Sequence, residues 1–198
     1  PNSIRIMWET STGEESVVIW GIEESLGNST SGNSFSSVGS AMMHDVQLLG
    51  LERFTTYYYQ VVTGQASSPI QSFKTPPFAS DEQSFRFVAM SDMQQSSADP
   101  LKYDEVIHDG VLDYLEQNLS GVVSEDLALV LIPGDLVDSG NSYGQWEDDF
   151  FQYSTDLFGK VPVYPVLGNH ETNTQYYFQY FHLPENGTDG YEEHWWWK

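Results

Sequence analysis

Between residues 85 and 167, three short apolar runs alternate with two helical stripes. That alternation restricts the second half of the chain to a small set of folds. The runs are Phe85-Arg86-Phe87-Val88-Ala89-Met90, Leu127-Ala128-Leu129-Val130-Leu131-Ile132 and Val161-Pro162-Val163-Tyr164-Pro165-Val166-Leu167. Each has the length and composition of a buried strand. Between the first two, Ile107, Val111, Leu115 and Leu119 recur at four-residue spacing, with Gly121 placed to close the helix. Between the last two, Trp146, Phe150, Tyr153 and Leu157 form a second stripe, followed by Gly159. Strand, helix, strand, helix, strand predicts a parallel or mixed α/β sheet. The stripes read as core, because a helix beside a sheet must bury one face. Thr174 to Leu183 reads as a further short aromatic helix.

Residues 3 to 74 follow the other period and read as all-β. Ile4-Arg5-Ile6-Met7-Trp8 and Val17-Val18-Ile19-Trp20 are short, β-branched or aromatic, and separated by turn residues. Thr55, Tyr57, Tyr59 and Val61 alternate, so they share one face of a strand. Segment 25–40 is rich in Ser, Gly and Asn and reads as a flexible loop. Phe73-Lys74-Thr75-Pro76-Pro77 ends the last strand, and the polar stretch after it reads as a linker. The expected organisation is a β-sandwich over 1–77, a linker over 78–83 and an α/β domain over 84–198.

Each apolar run of the second half ends in a polar motif: Ser91-Asp92-Met93-Gln94, Gly134-Asp135-Leu136-Val137-Asp138 and Gly168-Asn169-His170-Glu171. Ligands of open α/β sheets bind beyond the carboxyl ends of the strands, so three such motifs can meet at one point. Two carboxylates, one carboxamide and one imidazole suit hard or borderline divalent metals. Singly, each residue has a plainer explanation. Asp92 and Asp135 could cap helices, Asn169 could hold a left-handed turn, and His170 could be a surface histidine. Jointly, in order, at three strand ends, they favour a metal site. His44, His108, His182 and His194 follow no ligand spacing and read as incidental.

Composition removes several function classes. With 29 acidic and 7 basic residues the formal charge is -22. That argues against nucleic acid and against anionic membrane surfaces, both of which require Lys and Arg. It suits a saline or extracellular setting. There is no cysteine, so neither a disulfide nor a thiolate metal site is available. No run of apolar residues is long enough to span a membrane. Sequons at Asn28, Asn118 and Asn186 and a first residue, Pro1, that looks like a trimmed start give weak support to secretion.

Asp-x-Gln, Gly-Asp-x-x-Asp and Gly-Asn-His-Glu, in that order, resemble the first three motifs of the calcineurin-like metallophosphoesterases. The region before them is similar to the N-terminal domain of purple acid phosphatases, and its tyrosine-bearing strand resembles the tyrosine corner of fibronectin type III sandwiches. The resemblance spans nearly the whole chain. It implies a dinuclear centre, of Zn, Fe or Mn, that hydrolyses phosphate monoesters or diesters. Asp135 would bridge two metals, Asp92 and the neutral oxygen of Gln94 would serve the first, and Asn169 the second. His170 would protonate the leaving group, with Glu171 orienting it. Many members carry a histidine where Gln94 stands. Purple acid phosphatases carry a glycine there and a metal-binding tyrosine where Asp138 stands, so no tyrosinate–iron absorption band is expected. Two later His-bearing motifs of the family are absent from this sequence. The expectation is therefore a partial catalytic domain, inactive alone, with Trp195, Trp196 and Trp197 available for self-association or assembly. The alternative is a non-catalytic surface or matrix protein on the same scaffold.

Overall fold

The computed structural model describes residues 2–38 and 41–194. The chain divides into two compact units, Pro1–Phe85 and Arg86–Lys198.

The first unit is two antiparallel sheets around one core. The strands are β1 (Ser3–Thr10), β2 (Val17–Gly21), β3 (Asn28–Ser31), β4 (Asn33–Ser36), β5 (Met42–Leu49), β6 (Thr56–Thr63), β7 (Ala66–Ser67) and β8 (Gln71–Lys74). One sheet runs β1-β5-β4; the other runs β3-β2-β6, with both β7 and β8 on β6. Ile6, Val46 and Leu48 of the first sheet pack with Val18, Tyr57, Tyr59 and Phe73 of the second. Tyr57 and Tyr59 point inward together, as the alternation requires. The Tyr57 hydroxyl accepts from Glu52 N at 2.9 Å, five residues upstream, which ties the strand to the turn before it.

Two expectations for this unit change. Segment 25–40 is not a free loop: β3 pairs with β2 and β4 with β5, so the chain switches sheets at Gly32. A Cβ at Gly32 would collide with Asp45 O. The segment has no alternating pattern because both its strands are edges and largely exposed, held by backbone pairing and by a bond from Trp20 Nε1 to Thr30 Oγ1 at 3.0 Å. His44 is not incidental either. It is fully buried, stacked on Trp8 at 4.9 Å, with hydroxyls of Thr10 and Ser16 each 2.7 Å from a ring nitrogen. Thr10 Oγ1 donates its proton to Thr12 O, so it accepts from Nε2–H, and Nδ1 accepts from Ser16. Burial holds the His44 pKa below its ordinary value.

The second unit is a three-stranded parallel sheet in the order β11-β10-β9, with helices between consecutive strands. Its strands are β9 (Phe87–Ala89), β10 (Leu129–Ile132) and β11 (Val163–Pro165). The first connection holds α1 (Lys102–Glu105), a π-helical stretch Val106–Leu112, α2 (Asp113–Asn118) and α3 (Val123–Asp126). The second holds another π-helical stretch, Gln145–Phe151, running into α4 (Gln152–Phe158); α5 (Gln175–Tyr180) comes after β11. A strict four-residue repeat drifts by about 40° per step around an α-helix. The i→i+5 bonding of a π turn lengthens the turn and partly offsets that drift. Ile107 and Leu115 are accordingly both buried, as are Trp146, Phe150 and Leu157. Thr174 caps α5, its hydroxyl accepting from Tyr176 N at 3.4 Å.

The run at 85–90 differs from expectation. Phe85 and Phe87 are 60% and 52% exposed, whereas Val130 and Ile132 of β10 are buried. Apolar composition alone does not distinguish a central strand from an edge strand, and β9 pairs only with β10 among the described residues. Trp195, Trp196 and Trp197 lie outside the described residues.

Candidate metal centre

The parallel register carries the three polar motifs to the same edge. Leu131 sits beside Ala89, and Ile132 beside Pro165. Past the strands the pairing continues through the loops: Asp92 N donates to Gly134 O at 3.4 Å and Met93 N to Asp135 O at 2.9 Å. The third loop closes on the second, with His170 N donating to Asp135 Oδ1 at 3.1 Å and Gly140 N to His170 O at 3.1 Å. Two glycines permit this approach. A Cβ on Gly134 would lie 2.8 Å from Gly168 Cα, and one on Gly168 would collide with Asp135 Oδ1.

Asp92 and Asp135 both adopt positive φ, 55° and 54°. Such backbone costs on the order of 1 kcal/mol or more for a residue with a Cβ, and Asp tolerates it better than most. Neither caps a helix: the next helix after Asp92 starts at Lys102, and the one after Asp135 starts beyond Gly144. Asn169 is absent from the positive-φ residues, so the turn-holding explanation fails for it; Thr172 and Asn173 take that conformation instead. The side chain of Asn169 is exposed and makes no hydrogen bond among the described residues.

The donor chemistry fits a hard or borderline cation. Asp92 Oδ2 accepts from Ser91 Oγ at 2.5 Å, and only Oδ1 of Asp135 is taken, by His170 N. Gln94 Oε1 is buried and accepts no hydrogen bond. A buried oxygen left in that state costs about 1–3 kcal/mol, which coordination to a cation would relieve. No cluster of three or more His, Asp or Glu side chains stands ready to hold a metal among the described residues. The oxygen donors on the three loops are the carboxylates of Asp92 and Asp135 and the carboxamides of Gln94 and Asn169.

His170 is oriented by the backbone of the second loop. Its Nδ1 lies 2.8 Å from Asp138 O, and Asp138 Oδ1 is 3.5 Å away. A carbonyl can only accept, so Nδ1 carries hydrogen and Nε2 is the nitrogen that gains or loses a proton. The Asp138 carbonyl raises the His170 pKa, with the charges of Asp135, Asp138 and Glu171 adding to it and desolvation opposing.

Glu171 does not orient the imidazole by contact, contrary to expectation. Its side chain is fully buried and turned the other way. Oε1 accepts from Leu136 N at 2.8 Å and Val137 N at 3.2 Å; Oε2 accepts from Gly168 N at 2.8 Å and Asp135 N at 3.1 Å. Hydrogen bonds to a charged group contribute about 1.5–3 kcal/mol each, so four can offset the desolvation of a carboxylate. Neither this role nor the Asp138–His170 contact was visible from residue spacing. The only hint of the first was a glutamate with no Lys or Arg near it in sequence.

Residues 85–196 match the calcineurin-like phosphoesterase model, and residues 1–75 match the purple acid phosphatase N-terminal domain model. The chain belongs to the calcineurin-like phosphoesterases. Over 132 residues, 67% of this chain, it is 30% identical to purple acid phosphatase 22 of Arabidopsis thaliana. A purple acid phosphatase isolated from yellow lupin (Lupinus luteus) seeds shares the fold, with a TM-score of 0.63 at 18% identity over 86% of this chain. The chain spans 25% of the Arabidopsis protein and 33% of the lupin chain. As a calcineurin-like phosphoesterase it comprises a sheet-rich first unit and part of the α/β phosphoesterase domain. No helix among the described residues is long and apolar enough to cross a membrane.

Proposed function

We propose that the intact protein hydrolyses phosphate monoesters, with diesters as a second substrate class, at a dinuclear metal centre on the carboxyl edge of the β9–β11 sheet. The observation that carries this reading is the mutual closure of three loops that bear Asp92, Asp135 and Asn169, in a chain of the phosphoesterase family. Asp135 would bridge the two ions; Asp92, with Gln94, would serve one and Asn169 the other. When bound, the ions, as Zn, Fe or Mn, supply Lewis-acid stabilisation to the phosphoryl group and an activated water. The residues of the chain do the rest. The Asp138 carbonyl fixes the proton on Nδ1 of His170, so Nε2 delivers its own proton to the leaving oxygen. Gln94 gives a neutral oxygen where a stronger ligand is common in the family, which lowers affinity for the first ion.

An extracellular setting belongs to the same proposal. It is supported by the acidic composition and by the exposure of Asn28, Asn118 and Asn186, the three glycosylation acceptors. The bond from Glu52 N to the Tyr57 hydroxyl supports a fibronectin type III-like reading of the first unit. Residues 1–198 alone should not turn over substrate, and the Trp195–Trp197 segment is a candidate for assembly. The neutral Gln94, standing where many members carry a histidine, favours a second reading, a non-catalytic scaffold.

Metal analysis of the intact protein, together with turnover of an aryl phosphate, separates the two. The enzyme should carry about two ions per chain. Asp135→Asn should remove both metal and activity. His170→Ala should keep the metal and lower kcat about 100-fold or more, the usual worth of a general acid. A metal-free, inactive wild type would establish the scaffold instead. Equal metal loss in both variants would remove His170 from the role of proton donor.

A further inference from the structure

We infer that Glu171 is a positioning residue for the metal centre, holding the Asp135 loop in its ligand-ready conformation before any cation arrives. This rests on the reading of Asp92, Asp135 and Asn169 as metal ligands. Asp135 has a positive φ, which the backbone adopts only under constraint. The constraint is visible: a single carboxylate gathers the N–H groups of Asp135, Leu136 and Val137 from one loop and of Gly168 from the other. The donors come from both sides of the pair of ligand loops, so the same two oxygens set the turn at Asp135 and its distance from Asn169. Consecutive N–H groups converging on an anion form the concavity that elsewhere binds a free ion. Here the chain supplies the anion itself. The fit is tight behind it as well, since a Cβ on Gly140 would lie 2.5 Å from Glu171 O.

A glutamine at this position keeps the shape but replaces one acceptor oxygen with an NH2 group. That group would face N–H donors on one side of the nest. An aspartate keeps the charge and retracts it by one methylene. Residues behind metal ligands commonly control affinity by about 10–100-fold.

The test compares the intact wild-type protein with Glu171→Gln and Glu171→Asp. Affinity for Zn or Mn is measured by competition with a chelator, and the fold of each metal-free protein by circular dichroism. Both variants should stay folded and lose at least about tenfold in affinity. Wild-type affinity in a folded variant would overturn the inference while leaving the metal site standing. A wild type that binds no metal would remove that site, and this inference with it. A second measurement does not depend on any variant folding. In the metal-free wild type, the amides of Asp135, Leu136, Val137 and Gly168 should exchange hydrogen slowly, as bonded groups do. Fast exchange there until metal is added would show that the cation, not Glu171, orders the turn.

Discussion

Two buried titratable side chains in this protein show how differently a charge and a neutral ring are accommodated. The Glu171 carboxylate is surrounded by four N–H groups. For His44, burial lowers the pKa, opposed by the Thr12 backbone, and the hydroxyls of Thr10 and Ser16 flank the ring. The unfolded chain then takes up a proton before the folded one as the pH falls. His44 should therefore contribute full stability above pH ~6.5, the ordinary histidine value, and lose it as the pH falls below that toward the folded value. Urea midpoints measured at pH 7.5 and at pH 5.5 should fall with pH in the wild type. In His44→Phe, which keeps a ring against Trp8, the part of that fall due to this residue should vanish; an unchanged pH dependence would clear His44 of the effect. At this scale Asp92, Asp135 and Asn169 were legible because they stand at the ends of apolar runs. His44 was not, because burial of one histidine leaves no periodic trace. Glu171 was not, because its partners are backbone groups, which every residue has.

Among the elements, β1, β2 and β6 of the first unit were legible, whereas the Ser-rich edges β3 and β4, and the central strand β5, were not. Period-two alternation marks a strand that buries one face, as β6 does through Tyr57 and Tyr59. The Ser-rich strands β3 and β4 are largely exposed, so no alternation records them. Their crossover can be tested directly. Gly32→Ala places a methyl against Asp45 O and should cost about 1–3 kcal/mol, read as a lower urea midpoint. A midpoint unchanged within error would mean that the crossover relaxes without loss. Tyr57→Phe removes the acceptor for Glu52 N and should cost about 1 kcal/mol by the same measurement. Of the stripes read as core, Ile107, Leu115, Trp146, Phe150 and Leu157 are buried and Val111, Leu119 and Tyr153 half-buried, and four-residue spacing could not reveal the π stretches. Hydrogen-bond register is set by packing against the sheet and not by the identity of the apolar residues.

At the scale of the whole molecule, the first unit contains its own core, and residues 1–85 expressed alone should unfold cooperatively. A broad, non-cooperative melt of that piece would show that it cannot fold independently. The connecting stretch has contacts of its own within that unit: Arg53 donates to Asp81 Oδ1 at 2.9 Å and lies over the Phe78 ring. The second unit is organised differently in time. Its parallel pairs can form only after each intervening helical connection has been made, and such distant contacts are slow to close. A ribosome releases a chain from its N-terminal side, so the loop of Asp135 emerges 36 residues before the side chain that accepts its backbone hydrogen. Until Glu171 is synthesised, those N–H groups face water and the turn has no reason to hold. The site thus matures from its last loop backward, and a nascent chain stalled before residue 171 should be unable to capture a cation there, however much is present.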